Sequence, residues 1–341
     1  MNKLKNFTIG FRVTTSNIYG KGHLTRCLQL AKELNYKVIF FTDSHYISNK
    51  KINSIAECSN FSADKAINAL RSHNIEALIF DNYNIFPEII ESAAKLGICA
   101  VIDDYKLQWK NPLIFAPNLG SKESHYKYNK NVFAGPEYAL ISNKFYKASL
   151  LNHRFKKNKI CSHVLIQMGA IDSKNNIKKV LNALLNSREH IKHITVILNK
   201  QAPHRKNIKN LLKSFNSSLL FEVKTVSKMI SLYRDHNLII GAAGVSLLER
   251  VSLGIHCLAF SLNKNQDINI KAFDKFKLGI NGGRIDKISN SKLQLILHKF
   301  IIEDKSQYFS KNSYVNLLDG NGSKRIISII KEKILKKGSM I

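Results

Sequence analysis

At 341 residues, with 44% hydrophobic and 9% aromatic side chains, 16 glycines and only 5 prolines, the chain exceeds one small core and is too apolar to be disordered or fibrous. Its charge is the outlier: 53 Lys and Arg against 24 Asp and Glu give +29, and 43 of the 53 cations are lysines scattered along the chain. No arginine-rich arm or motif of stacking aromatics accompanies them, which argues against a specific nucleic-acid partner and for a solvated basic surface that attracts anionic substrates.

From the N-terminus, Lys3 and Lys5 precede an apolar stretch that Arg12 interrupts too early for a secretory signal. Strands are expected at Phe7–Thr14, Lys37–Thr42, Ala77–Tyr83, Cys99–Asp104 and Leu113–Pro117, each a β-branched or aromatic run bounded by polar turns. Helical spacing fills the intervals at Leu24–Leu34, Ala63–Ser72 and Phe86–Leu96. Such alternation implies a parallel sheet covered on both faces.

A second series follows a basic, aperiodic stretch after Leu150, with strands expected at His163–Met168, Ile194–Asn199, Leu219–Val223, Leu238–Gly241 and His256–Ser261. The expected architecture is α/β, with two doubly wound Rossmann-like domains, 1–150 and 160–341, facing across a cleft. The tail from about Ser291 is helical by pattern and ends in a basic amphipathic run, Ser323–Lys337. Packing against the body is the expected role of that run, and weak association with an anionic surface is the other. No segment reaches the ~20 apolar residues of a membrane span. The five cysteines are far apart and never paired as CxxC, which suits a reducing, cytoplasmic setting.

Two turns carry the chemistry. Gly20-Lys21-Gly22-His23 follows the first strand and opens a helix; as a dinucleotide fingerprint it fails, because Thr25 stands at the third glycine position. What remains is a histidine delivered to a helix N-terminus, where it either packs locally or serves as a general base. In the second half, strand Leu238–Ile240 runs into Gly241-Ala242-Ala243-Gly244-Val245-Ser246, with Glu249 one turn further on. Small residues let the N–H groups of such a turn approach a diphosphate, and a carboxylate on the same helix face accepts ribose hydroxyls; an ordinary tight turn with an exposed glutamate is the competing reading.

Asn265 and Gln266 open the next helix as sugar or base ligands, or as caps. Asp81 and Tyr83 close one strand, and Asp103 and Asp104 close another, pointing to opposite faces. Met168-Gly169-Ala170-Ile171-Asp172 follows the first strand of the second series. No HExxH, Walker A, GxSxG or CxxC pattern occurs.

Taken in order, Phe11-Arg12, Gly20-x-Gly22-His23-x-x-Arg26, Asp81-x-Tyr83, Asp103-Asp104, Gly135-Pro136-x-Tyr138, Met168-Gly169-x-x-Asp172, Gly244-x-Ser246-x-x-Glu249, Asn265-Gln266 and Asp319-Gly320-x-Gly322 form a set spanning nearly the whole chain. The set resembles the UDP-2,4-diacetamido-2,4,6-trideoxy-β-L-altropyranose hydrolases of pseudaminic acid biosynthesis. The resemblance implies a GT-B fold, a UDP-sugar substrate, no cofactor or metal, and water attacking the anomeric carbon with His23 as base. It further implies Glu249 on the ribose and the turn Gly244, Val245 and Ser246 on the diphosphate. Arg12, Gly22, Asp81 and Tyr83 in the first half, and Gly169, Asp172, Asn265 and Gln266 in the second, become substrate contacts. The chain departs from the family pattern at Thr14 and Thr15, where an aspartate is usual, and at Ala170, where a second glycine is usual. A GT-B glycosyltransferase and a polyanion-binding protein are the alternative functions.

Overall fold

The computed structural model describes residues 8–14, 22–34, 37–42, 54–57, 63–81, 86–151, 162–220, 223, 225–302 and 316–338. They form two compact units, one of Met1–Ile141 with Asn321–Ile341 and the other of Ser142–Gly320.

The first unit is built on a seven-stranded sheet of β1 (Thr8–Val13), β2 (Lys37–Thr42), β3 (Ser54–Glu57), β4 (Ile75–Asp81), β5 (Ile98–Ile102), β6 (Leu113–Ala116) and β7 (Val132–Ala134). Every pairing is parallel, in the order β3-β2-β1-β4-β5-β6-β7. Side chains alternate between faces, so Phe40 joins Ile9, Phe11 and Ile79 in one core while the adjacent Phe41 joins Ile39, Leu78 and Phe80 in another. Both faces are therefore dry, which is why these strands read as continuous apolar runs. Helices α1 (Gly22–Lys32), α2 (Ala63–Ser72) and α3 (Pro87–Leu96) connect the strands.

The second unit repeats the plan. It opens with α4 (Asn143–Leu150), capped by Ser142, whose side chain accepts from the Lys144 N–H. Strands β8 (Ser162–Gln167), β9 (Ile191–Ile197), β10 (Ser217–Leu220), β11 (Leu238–Ala242), β12 (Leu258–Ser261) and β13 (Ile280–Arg284) form a parallel sheet in the order β10-β9-β8-β11-β12-β13. Helices α5 (Asn176–Leu184), α6 (Arg205–Leu212), α7 (Val226–Asp235), α8 (Val245–Ser252), α9 (Asp267–Lys275) and α10 (Asn290–Ile302) pack on it.

The tail differs from its expected placement in the second domain. Helix α11 (Gly322–Gly338) buries Ile326, Ile327, Ile330 and Ile334 in the core of the first unit, where Arg325 Nη1 also donates to the Glu137 carbonyl at 2.9 Å. Isoleucines at i, i+4 and i+8 make a stripe that needs a dry surface, and each contributes about 1.5–3 kcal/mol on burial. Residues 143–150, which the expected boundary at 150 assigns to the first domain, form α4 and belong instead to the second unit, where that helix packs against α7 and α8.

One buried histidine makes the second unit sensitive to acid. His236 Nδ1 donates to the Leu232 carbonyl at 2.7 Å, so Nε2, 2.7 Å from Thr195 Oγ1, is left to accept. Burial, reinforced by the neighbouring His163 and His193, holds its pKa below the usual 6.5. The unfolded chain then takes up the proton first, so stability declines as pH falls from 6.5 toward the lower folded value. A falling melting temperature between neutral and mildly acidic pH, blunted in His236→Gln, is the expected result of calorimetry.

Candidate active site

In each sheet the chain winds outward from the first strand and then returns to its other side, so the loops diverge between β1 and β4 and between β8 and β11. The crevice at such a switch point, beyond the strand carboxyl ends, is where doubly wound folds take ligands.

At the first switch point, His23 is the second residue of α1 and Asp81 the last of β4. Their side chains are 6% and 0% exposed, with His23 Nδ1 2.5 Å from Asp81 Oδ1. Arg26, one helical turn after His23, donates from Nε to Asp81 Oδ2 at 2.6 Å and from Nη2 to Asp81 Oδ1 at 2.5 Å. Its Nη1 reaches Asp104 Oδ2 at 2.9 Å, and Asn118 Nδ2 donates to Asp104 Oδ1 at 2.9 Å. Burial alone would raise the Asp81 carboxyl, but the Arg26 guanidinium and the His23 ring hold it well below the usual carboxylate range.

An ionised Asp81 accepts only, so the proton on His23 sits on Nδ1 and the lone pair on Nε2. Arg26 Nη2, 3.1 Å from that same Nδ1, cannot then donate to it. With neutral imidazole the set His23, Asp81, Arg26 and Asp104 carries a formal charge of −1; protonating the ring brings it to zero. The arrangement is thus matched to the imidazolium that a general base becomes.

The other first-half expectations land in varied places. Asp103 caps the following turn, taking the Tyr105 and Leu107 N–H groups at 2.7 Å each, while its neighbour Asp104 turns to Arg26. Arg12 is 4% exposed, and its Nη1 donates to the Val13 and Phe41 carbonyls at the carboxyl ends of β1 and β2. Gly22 is exposed at the start of α1, with open space where a Cβ would stand. Tyr83 lies outside the described residues.

At the second switch point the carbonyls of the turn between β11 and α8 are taken by other groups. Arg250 Nη2 donates to the Ala242 carbonyl at 2.7 Å, Asn269 Nδ2 to that of Ala243 at 3.0 Å, and the Leu247 N–H to that of Gly244 at 2.9 Å. The N–H groups of Gly244, Val245 and Ser246 meanwhile begin a helix, where no preceding carbonyl can take them. An anion is the natural partner for such a start. Gln266 closes over the turn: its Nε2 lies 3.3 Å from the position a Cβ on Gly244 would occupy, while its Oε1 accepts the Leu262 N–H at 3.0 Å. Asn265 precedes it on the same turn.

Gly169, just beyond β8, has φ +87, a conformation that favours glycine, and Leu262 lies beside it. Asp172 is committed locally, with Oδ1 and Oδ2 accepting the Asn176 and Ile177 N–H groups at 2.8 and 2.9 Å to cap α5. Glu249 sits one turn into α8, its Oε2 3.3 Å from the Tyr233 hydroxyl. Burial pushes its carboxyl up to about 7, against the opposing pull of the Arg250 cation and the Tyr233 hydroxyl.

Arg26 and Asp104 entered the sequence reading as members of the motif set, and the residues it passed over are the other supports: Arg250 and Asn269 behind the turn, and Tyr233 behind Glu249. Of these only Arg250 left a local trace, next to Glu249. Among the described residues no cluster of His, Cys, Asp or Glu is placed to hold a metal ion, and no helix is long and apolar enough to cross a membrane.

No protein-family profile matches the chain. It is similar to an uncharacterised protein of Methanocaldococcus jannaschii, 27% identical over 328 residues that cover 91% of this chain and 63% of that protein. The chain thus spans less than two thirds of that relative's length. It is also similar to the spore coat polysaccharide biosynthesis protein SpsG of Bacillus subtilis, 21% identical over 325 residues covering 92% of this chain and 94% of SpsG. Among solved structures, Acinetobacter baumannii MurG matches with a TM-score of 0.63 at 12% identity, over 95% of this chain and 99% of that one. The glycotransferase of kitacinnamycin matches at 0.63 and 10% identity, over 97% and 100%. S. aureus MnaA in complex with UDP matches at 0.63 and 11% identity, over 96% and 97%. Likeness at this identity establishes the fold, which is GT-B.

Proposed function

We propose that this chain of GT-B fold is an enzyme of glycan biosynthesis that acts on a UDP-linked sugar and breaks the bond between the anomeric carbon and the diphosphate. The observation that carries the reading is the His23–Asp81 pair at the first switch point, with Nδ1 protonated toward the carboxylate and Nε2 left as the basic atom. An incoming hydroxyl gives its proton to Nε2 as its oxygen bonds to the anomeric carbon. The electron pair of the broken C–O bond leaves with UDP, and the single displacement inverts that carbon. The N–H groups at the start of α8 suit the diphosphate, where charge builds up as the bond breaks. Glu249 suits the ribose.

Transfer to a sugar or lipid-linked acceptor hydroxyl is the leading form, supported by the glycotransferase and the UDP complex among the structures of like fold and by the polysaccharide-biosynthesis relative. Hydrolysis, with water as the nucleophile, is the second form, favoured by the ordered motif set of the pseudaminic acid pathway hydrolases. In that form the substrate is a UDP-2,4-diacetamido-2,4,6-trideoxy sugar. Incubation with a panel of UDP-sugars tests both: UDP release that requires an added acceptor marks the transferase, release with free sugar in water marks the hydrolase, and no release from any donor in either condition rejects the proposal.

Nucleotide binding has its own test. Loss of a charge-assisted hydrogen bond costs about 1.5–3 kcal/mol, so Glu249→Ala is expected to weaken UDP binding by about 10- to 100-fold in titration calorimetry. Unchanged affinity would remove Glu249 from the ribose site.

A further inference from the structure

The hydroxyl of Tyr233 lies between two acceptors. It is 2.8 Å from Gln167 Oε1 and 3.3 Å from Glu249 Oε2, and the residue is fully buried. The three side chains come from different elements, Gln167 from the end of β8, Tyr233 from α7 and Glu249 from α8, so they form a tertiary chain across the second switch point. Phe145 of α4, its ring centroid 6.3 Å from that of Tyr233, helps to hold the phenol in place.

A phenol has one proton to donate. When Tyr233 donates to Gln167 Oε1, as the shorter distance indicates, its oxygen is matched by a proton arriving from Glu249, that is, by the protonated acid. When Glu249 is ionised, Tyr233 donates to the carboxylate instead. Gln167 is then matched only with its amide turned end for end, so that Nε2–H donates to the tyrosine oxygen. Both patterns satisfy every member of the chain, and they run in opposite directions.

We infer that Tyr233 is a positioning residue for Glu249: backed by Gln167, its hydroxyl turns toward the carboxylate when nucleotide binds and presents it, ionised, to the two ribose hydroxyls. The last step rests on the ribose reading of Glu249 above. Two ribose O–H groups need an acceptor, so nucleotide selects the ionised pattern and releases a proton on binding when the acid form prevails beforehand. The titratable and charged groups around the chain are Arg250 of the same helix, which stabilises the ionised form, and the Cys257 thiol near Tyr233 and Arg250.

The carboxyl titrates at about 7, so UDP affinity of the unaltered protein is expected to fall by up to about tenfold for each pH unit below neutrality, with proton release seen as a buffer-dependent binding enthalpy. Tyr233→Phe keeps the ring and removes the donor that favours the ionised form. Its affinity profile is expected to move upward by about one pH unit while the affinity at the alkaline limit changes little. Gln167→Met, which leaves the tyrosine in place, should move it in the same direction by less. Profiles of both variants overlaying that of the unaltered protein would overturn the inference. The ribose reading is checked separately with Glu249→Gln: if UDP affinity there is unaltered, that reading fails. The role of Tyr233 is still decided by the carboxyl ¹³C titration of Glu249 without nucleotide, which should rise in Tyr233→Phe; an unmoved titration overturns it.

Discussion

His23→Asn is expected to slow UDP release from the sugar nucleotide by about 10²- to 10⁴-fold, the range for a lost general base, while UDP affinity stays within about twofold. Asparagine suits the test because its amide can still donate to Asp81, whose Oδ1 also keeps the Arg26 Nη2 contact at 2.5 Å. The buried carboxylate is thus not stranded, and the melting temperature should move little. Single-turnover and equilibrium binding measurements on the same preparation separate the two effects. Retained turnover would make His23 only a packing partner of the buried ion pair.

Asp81→Asn is the complementary change. It removes the charge that places the proton on Nδ1 and that offsets the imidazolium, so turnover should also fall, although the side chain is fully buried. The resemblance set Asp81 among the substrate contacts. Its complete burial and its bonds to His23, Arg26 and Cys27 Sγ give it a supporting role instead.

The second large effect is on stability. Arg26→Met removes the cation bonded to both Asp81 and Asp104, whose side chains are 0% and 9% exposed. Breaking a buried pair by removing one partner costs about 3–5 kcal/mol, a large share of the ~5–15 kcal/mol of an ordinary domain. The pH dependence should weaken as well. In the unaltered protein the Asp81 carboxyl lies below its unfolded 3.8, so its stabilisation is present above that value and lost as pH falls through the lower folded one. Without Arg26 the largest influence opposing burial is gone and the carboxyl rises, so the variant should lose less stability on acidification than the unaltered protein does. Denaturant unfolding at neutral and at mildly acidic pH reads both. A loss below about 1 kcal/mol, typical of an exposed pair, would contradict the buried network.

Legibility of the fold followed burial. β1, β2, β4, β5 and β6 stand in the sequence as apolar runs because both faces of the sheet are covered. Strands β3, β7 and β13 escaped detection. They lie at sheet edges, β7 is three residues long, and β13 is Ile280-Asn281-Gly282-Gly283-Arg284, with neither alternation nor β-branched content beyond its first residue. The boundary error at β12 has the same origin: the strand starts at Leu258, after the expected His256, because a polar residue carries little pattern; the far end expected of β10 runs over residues outside the described ones.

The candidate site was legible where a turn announces itself. Gly22-His23 after β1 and Gly244-Val245-Ser246 after β11 stand out because small residues mark where a backbone turns sharply into a helix. The partners of those turns left no comparable mark. Arg26 meets Asp81 across 55 positions and Asp104 across 78, and Tyr233 meets Gln167 across 66. Asp172 shows the converse: a carboxylate after a first strand has the look of a ligand contact, yet both its oxygens cap the next helix.

By itself, then, the amino-acid sequence determined two parallel α/β repeats and the place of a glycine turn after a central strand in each, because periodicity and turn chemistry are local properties of the backbone. Only the tertiary structure decided which carboxylate holds the His23 tautomer, what stands behind Glu249, and that the last helix returns to the first unit. Hydrogen bonds and apolar contacts act over a few ångströms of space and take no account of how many residues lie between their partners.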